Sequence, residues 1–93
     1  MYDRVLNQLR EAIRTAEYVM TVHAEEEMDD DGLTVFDVES IVLTGRIAER
    51  QRGRNPAEWK YLVKGQTLAD DDAVVLARLS PVGLLVIITV YRE

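Results

Sequence analysis

His23 is the only imidazole in the chain, and so the only side chain whose ordinary titration falls near neutral pH, which makes it the first candidate for proton transfer. A second is Tyr91, which shares a face of the C-terminal apolar run with Thr89 and brings a phenolic hydroxyl. The plainer readings are a histidine that opens a helix by hydrogen bonding the backbone, and a packed tyrosine ring with its hydroxyl in water. The acidic stretch Glu25 to Asp31 invites a calcium loop: with Gly32 at the sixth position, Glu27, Asp29 and Asp31 take the first, third and fifth. The twelfth, where a bidentate Glu belongs, is Val38, so the clamp is missing and no metal site is assigned. Asp70 to Asp72, ahead of an apolar run, reads as turn chemistry.

Charge is unevenly distributed. The 93 residues carry 11 Lys and Arg against 17 Asp and Glu, a net charge of -6, the wrong sign for a protein whose whole surface grips nucleic acid. Yet Arg46, Arg50, Arg52, Arg54, Lys60 and Lys64 meet only Glu49 and Glu58 in their segment, a local +4 that leaves -10 for the rest. Arg46, Arg50, Arg52, Arg54 and Lys60, with Trp59 and Tyr61 alternating beside them, are candidate RNA contacts, because cations track a phosphate backbone and aromatic planes stack bases. The alternative is an exposed hairpin made soluble by its charge, with Trp59 and Tyr61 in the core beneath. A third reading pairs the acidic helix of one copy with the basic hairpin of another, as in a two-fold homodimer.

These groups need a scaffold, and the composition permits one. With 47% hydrophobic and 30% charged residues the chain reads as one soluble globular domain spanning 1–93. The absence of Cys excludes disulfide frameworks, thiolate metal sites and cysteine nucleophiles, and permits a reducing compartment. The N-terminus lacks the apolar run of a signal peptide. Leu84 to Tyr91, the longest apolar stretch, is far shorter than the roughly 20 residues of a spanning helix, so the expected location is cytoplasmic. Val5, Leu9, Ala12, Ile13 and Ala16 recur at helical spacing, predicting an amphipathic helix to about residue 16, with Arg4, Arg10, Glu11 and Arg14 outward. Tyr18 to Val22 is a brief strand or an extended connection. Ala24 and Met28 lie one turn apart before Gly32, and Thr34 and Asp37 have capping-box spacing before Val38, Ile41, Val42 and the closing Gly45. The period then falls to two, with turns at Asn55-Pro56, Lys64-Gly65 and Ser80 to Gly83. The expected fold is α+β: two or three N-terminal helices on one face of a four-stranded antiparallel sheet, the last two strands central.

The ordered set HAxxxM, Gly32, TxxDV, Gly45, WKYLVKG, a VVL strand and a final IITVYRE resembles the domain-of-unknown-function family numbered 4258, over about residues 18–93. The helix of residues 1–16 stands outside the resemblance. That family is similar to the small RelE and barnase-type ribonuclease fold found in bacterial toxin–antitoxin pairs. The resemblance therefore implies a metal-independent endoribonuclease with no cofactor, whose partners are RNA and an antitoxin-like protein. In that mechanism His23 and Tyr91 transfer protons while Arg46, Arg50, Arg52, Arg54 and Lys60 hold phosphate. The family pattern carries Arg just before the Met and just before the Gly, where this chain has Glu27 and Asp31. Two such reversals beside His23 repel a phosphate. A non-catalytic interaction module that binds itself or a partner through acidic and basic faces is the competing expectation.

Overall fold

The switch of period at Gly45 divides the chain into a helical and a sheet-forming half, with one exception. A computed structural model describes residues 1–54 and 58–93. It contains helices α1 (Asp3–Arg14), α2 (Val22–Asp31) and α3 (Val35–Thr44), and strands β1 (Tyr18–Met20), β2 (Arg46–Arg52), β3 (Trp59–Gln66), β4 (Asp72–Leu79) and β5 (Leu85–Arg92). The sheet order is β1-β5-β4-β3-β2. Strands β2 to β5 form the expected antiparallel meander, but β1 adds a fifth strand, parallel to β5, so the sheet is mixed and not the four-stranded antiparallel one expected. Three residues are too few to display alternation, and the partner that makes them a strand lies far along the chain. β4 is central and β5 interior, as their apolar content requires. The expected Asn55-Pro56 turn lies outside the described residues.

All three helices lie on one face. Leu9, Ile13, Val38, Ile41 and Val42 meet Val63, Val75, Ile87 and Val90 in a continuous core. The capping box forms as read: the Thr34 backbone N–H donates to Asp37 Oδ2 at 2.9 Å, and the Asp37 N–H donates to Thr34 Oγ1 at 3.4 Å. Those donors, the Thr34 backbone N–H foremost, hold the Asp37 carboxyl below its ordinary range. Gly32 ends α2 at a left-handed φ of 67°, and Leu33 N–H returns to Met28 O at 2.8 Å. Thr67 Oγ1 accepts from Asp71 N–H, the turn chemistry foreseen for that acidic loop. Among the described residues no helix is long and apolar enough to cross a membrane.

Two details of the helical half differ from the periodicity. α1 stops at Arg14, and Ala16 turns into a left-handed conformation outside it. Arg10 does not point to solvent but donates to Val42 O and, at 2.8 Å, to Gly45 O. The last turn of α3 has no basic residue of its own, so Arg10 supplies both donors and positive charge to its exposed carbonyls.

Gly45 closes α3 in an extended conformation, not a left-handed one. Its glycine identity answers to crowding: a Cβ there would lie 2.5 Å from Ile41 O and 2.7 Å from Lys64 O. Gly65, expected with Lys64 in a turn, lies instead inside β3, because both residues pair with β4; it is tighter still, with an added Cβ inside contact distance of Ile41 O and 2.9 Å from Gly45 Cα. The two glycines let the end of α3 rest directly on the backbone of β3, where Ser40 Oγ donates to Gln66 O and Gln66 N–H donates to Thr44 Oγ1. Gly65→Ala is expected to cost about 3 kcal/mol or more, read by urea denaturation, whereas Gly32→Ala, facing open space, costs about 1 kcal/mol for its positive φ.

The short β1 is held by Tyr18, whose hydroxyl donates to Glu39 Oε2 on α3 at 2.6 Å. Burial first, then this hydrogen bond and the carboxylate charge, push the Tyr18 hydroxyl up to about 12. A phenol raised in the folded state adds stability that is whole below about 10 and lost as pH rises towards 12. Tyr18→Phe should flatten that alkaline loss in a stability profile; an unchanged slope would show that Tyr18 does not carry it.

Candidate functional site

β5 is eight residues long and its neighbour β1 only three. β1 pairs with Leu85 to Ile87, and Thr21 N–H adds one bond to Ile87 O. Beyond that point the outer backbone of β5 has no strand beside it. α2 takes over. Its N-cap, Thr21, accepts from Ala24 N–H and donates to Ile88 O, the residue that β5 bulges out between its pairs with Leu76 and Ala77. Six residues on, Glu27 Oε1 accepts from Val90 N–H at 3.1 Å, and one turn beyond it Asp31 Oδ2 accepts from Arg92 N–H at 3.1 Å. The match is geometric: four helical residues rise about 6.0 Å, and two strand residues advance about 6.6 Å. Two carboxylates on one helix face thus stand where the next strand's carbonyls would be.

His23 lies on the same helix face, with Nε2 3.2 Å from Glu27 Oε1 and its side chain 65% exposed. The carboxylate that faces it is the one bonded to Val90. Arg92 is also committed, through Nε to Asp31 O and through its guanidinium to Asp71. The seam therefore offers one imidazole among carboxylates and no uncommitted cation for a phosphate. Among the described residues no three acidic or imidazole groups converge on a metal. The calcium-loop geometry weighed for Glu27, Asp29 and Asp31 is overturned, because these residues are helical and Gly32 is their C-cap.

The sheet face away from the helices is organised differently. Register places Val19, Val86, Arg78, Lys60 and Gln51 in one row across the strands, then Thr89, Leu76, Leu62 and Glu49, then Tyr91, Val74, Lys64 and Arg46. Cations stand in the two outer rows, and the middle row holds Leu76 and Leu62 at its centre with Thr89 and Glu49 at its ends. Around the first row a depression of about 470 Å³ is lined by Thr21, Arg54, Glu58, Lys60, Arg78, Val86 and Ile88. Near the third, Arg46 and Lys64 line another of about 380 Å³. Arg78 pairs with Glu58 at 3.2 Å and Lys64 with Glu93 at 3.5 Å. Among the described residues Arg46, Arg54 and Lys60 make no ion pair.

The residues singled out from sequence are thus separated. Arg54 and Lys60 share one depression, and Arg46 lines the other. Arg50 and Arg52 lie on the helix-bearing face, their guanidinium carbons 3.8 and 4.2 Å from the centre of the Trp59 ring. Trp59 is partly buried and Tyr61 belongs to the core, as in the hairpin reading. Tyr91 stands in the third row of the uncovered face, half-exposed, while His23 lies on the α2 seam; among the described residues no hydrogen bond joins them. Arg78 and Lys64 were missed as site residues. Arg78 had a signal: the one charge in the apolar run Ala73 to Leu79, between the core-facing Ala77 and the inward Leu79, points to the opposite face. The roles of Glu27 and Asp31 had none.

The chain belongs to the family described as Domain of unknown function (DUF4258), which matches residues 20–92. No curated protein and no solved structure matches it. α1 lies outside the matched stretch, yet Leu9 and Ile13 are core residues. Replacing Glu27 and Asp31 together by Ala leaves two strand donors without their charged acceptors, expected to cost about 2–4 kcal/mol and to speed exchange of the Val90 and Arg92 amides. Unchanged exchange at both amides would show that α2 does not brace this edge.

Proposed function

We propose that this member of the DUF4258 family is a non-catalytic interaction module, built on a RelE/barnase-type, toxin-like architecture, that binds an anionic macromolecule on its uncovered sheet face. The architecture is supported by the antiparallel meander with every helix on one side. The observation that carries the binding role is the pair of cationic rows, Lys60 with Arg78 and Lys64 with Arg46, on the one face that no helix covers. A non-catalytic role is supported by the lack, among the described residues, of a hydrogen bond between His23 and Tyr91 and by the carboxylates at Glu27 and Asp31, which repel a phosphodiester from the only imidazole. A cytoplasmic setting, as one half of a toxin–antitoxin-like pair, suits a chain without Cys.

Ribonuclease activity is the second reading, favoured by the exposure of His23 and by the Arg50, Arg52 and Trp59 cluster on the hairpin. One experiment separates them. A fluorescent 20-nucleotide single-stranded RNA and a labelled poly-glutamate are titrated against the protein, and the RNA is then examined for cleavage. The proposal expects salt-sensitive binding, weakened about tenfold or more by Lys60→Ala with Arg78→Ala, and intact RNA throughout. Binding indifferent to that double change contradicts the proposal. RNA cleavage that disappears in His23→Ala establishes the second reading instead.

A further inference from the structure

Resting on the proposal that the uncovered face is the binding face, we infer that its ligand is an acidic amphipathic helix supplied by a partner protein. An electrostatic surface alone does not specify one. What distinguishes this face is the middle row: Leu62 and Leu76 are only partly covered, and Val86 and Ile88 continue the aliphatic floor into the first depression. Apolar surface between two lines of positive charge complements a segment with an apolar stripe and acids at both ends.

The dimensions make the complement specific. Lys60 and Lys64 are four strand residues apart, about 13 Å. A helix covers that distance in about nine residues, so acids some nine positions apart reach both cationic rows. Leucine-like residues three or four apart between them pass over the row in which Leu62 and Leu76 stand side by side. Two cations, Arg46 and Lys60, and the nearby Arg54 make no ion pair among the described residues, although Glu58 lines the depression that holds Lys60 and Arg54.

Two other occupants fit less well. Single-stranded RNA gains its base contacts by stacking on aromatic planes, and the only aromatic ring in the three rows is Tyr91, at one corner. A second copy would bring the acidic side of α2, with Glu25, Glu26, Asp29 and Asp30 exposed. That surface lies on the opposite side of the sheet from the cationic rows, so such a contact runs head to tail and does not close into a dimer.

The test uses a synthetic helical peptide with Glu at both ends, about nine residues apart, and a Leu stripe between them. Its control has the same composition scrambled to abolish the stripe. Binding to the full chain is followed by fluorescence anisotropy, with poly-glutamate and the single-stranded RNA as further ligands. The striped peptide is expected to bind at least tenfold more tightly than the scrambled one. Leu62→Ser with Leu76→Ser should remove that advantage while leaving poly-glutamate binding unchanged, and the single, similarly shaped Val86→Thr, which adds one hydroxyl at a half-buried position and perturbs the fold less than the double change, should reduce it. Equal binding of the two peptides overturns the inference, as does RNA binding more tightly than the striped peptide. Failure of poly-glutamate to bind at all would instead overturn the anionic-ligand proposal on which the inference rests.

Discussion

A strand edge buried beside a helix cannot leave its amides unpaired, and in this protein β5 outruns its neighbour β1 by several residues. Unpaired backbone donors are costly when removed from water and invite pairing with other chains when left in it. The solution is a helix laid along the open edge, with Glu27 and Asp31 supplying the acceptors that a longer β1 would have supplied. That arrangement fixes where α2 lies and which of its faces is inward. It also joins α2 to Thr21 and the Ile88 bulge, so that the helix begins where the strand pairing ends.

The functional consequences follow from the same bonds. Once Glu27 is committed to Val90, the imidazole of His23 has a carboxylate for a neighbour, and the charge that a phosphodiester would need there is reversed. The cations gather elsewhere. Alternation along β3 and β4 sends Val63, Val75 and Ala77 into the core and Lys60, Lys64, Leu62, Leu76 and Arg78 to the other side. With all three helices on the core side, that second face stays open, carrying apolar surface and positive charge together. The net charge of -6 is therefore a poor guide to this molecule, since its acids lie mainly on the helices and loops while its sheet presents a local cationic surface.

Local chemistry was legible in the sequence. Thr34 and Asp37 announced a helix start, Gly32 a left-handed end and the fall in period after Gly45 a meander, because each depends on neighbours within a turn or two. What escaped reading depends on residues brought together by the fold. β1 exists only through β5, and Arg10 looks like a solvent-facing arginine until the end of α3 arrives beside it. Gly45 reads as a helix stop, but its crowding comes from Lys64 and Ile41. Grouping basic residues by position in the chain joined Arg46, Arg50, Arg52, Arg54 and Lys60 in one set. The register, with a bulge at Ala48, sends Arg50 and Arg52 to one face while Lys60 and Arg46 go to the other. A strand's two faces are one residue apart in sequence, so a cluster of charges in the chain need not be a cluster in space.

The claim that unites these points is that ligands engage the uncovered sheet face and not the seam that holds His23. Amide and methyl chemical-shift mapping during titration with an anionic ligand tests it most directly. The account predicts changes concentrated at Lys60 to Lys64, Val74 to Arg78 and Val86 to Tyr91, with the His23 imidazole resonances unmoved. Changes centred on the His23 ring and on Glu25 to Glu27, with the Lys60 and Arg78 rows silent, would contradict it.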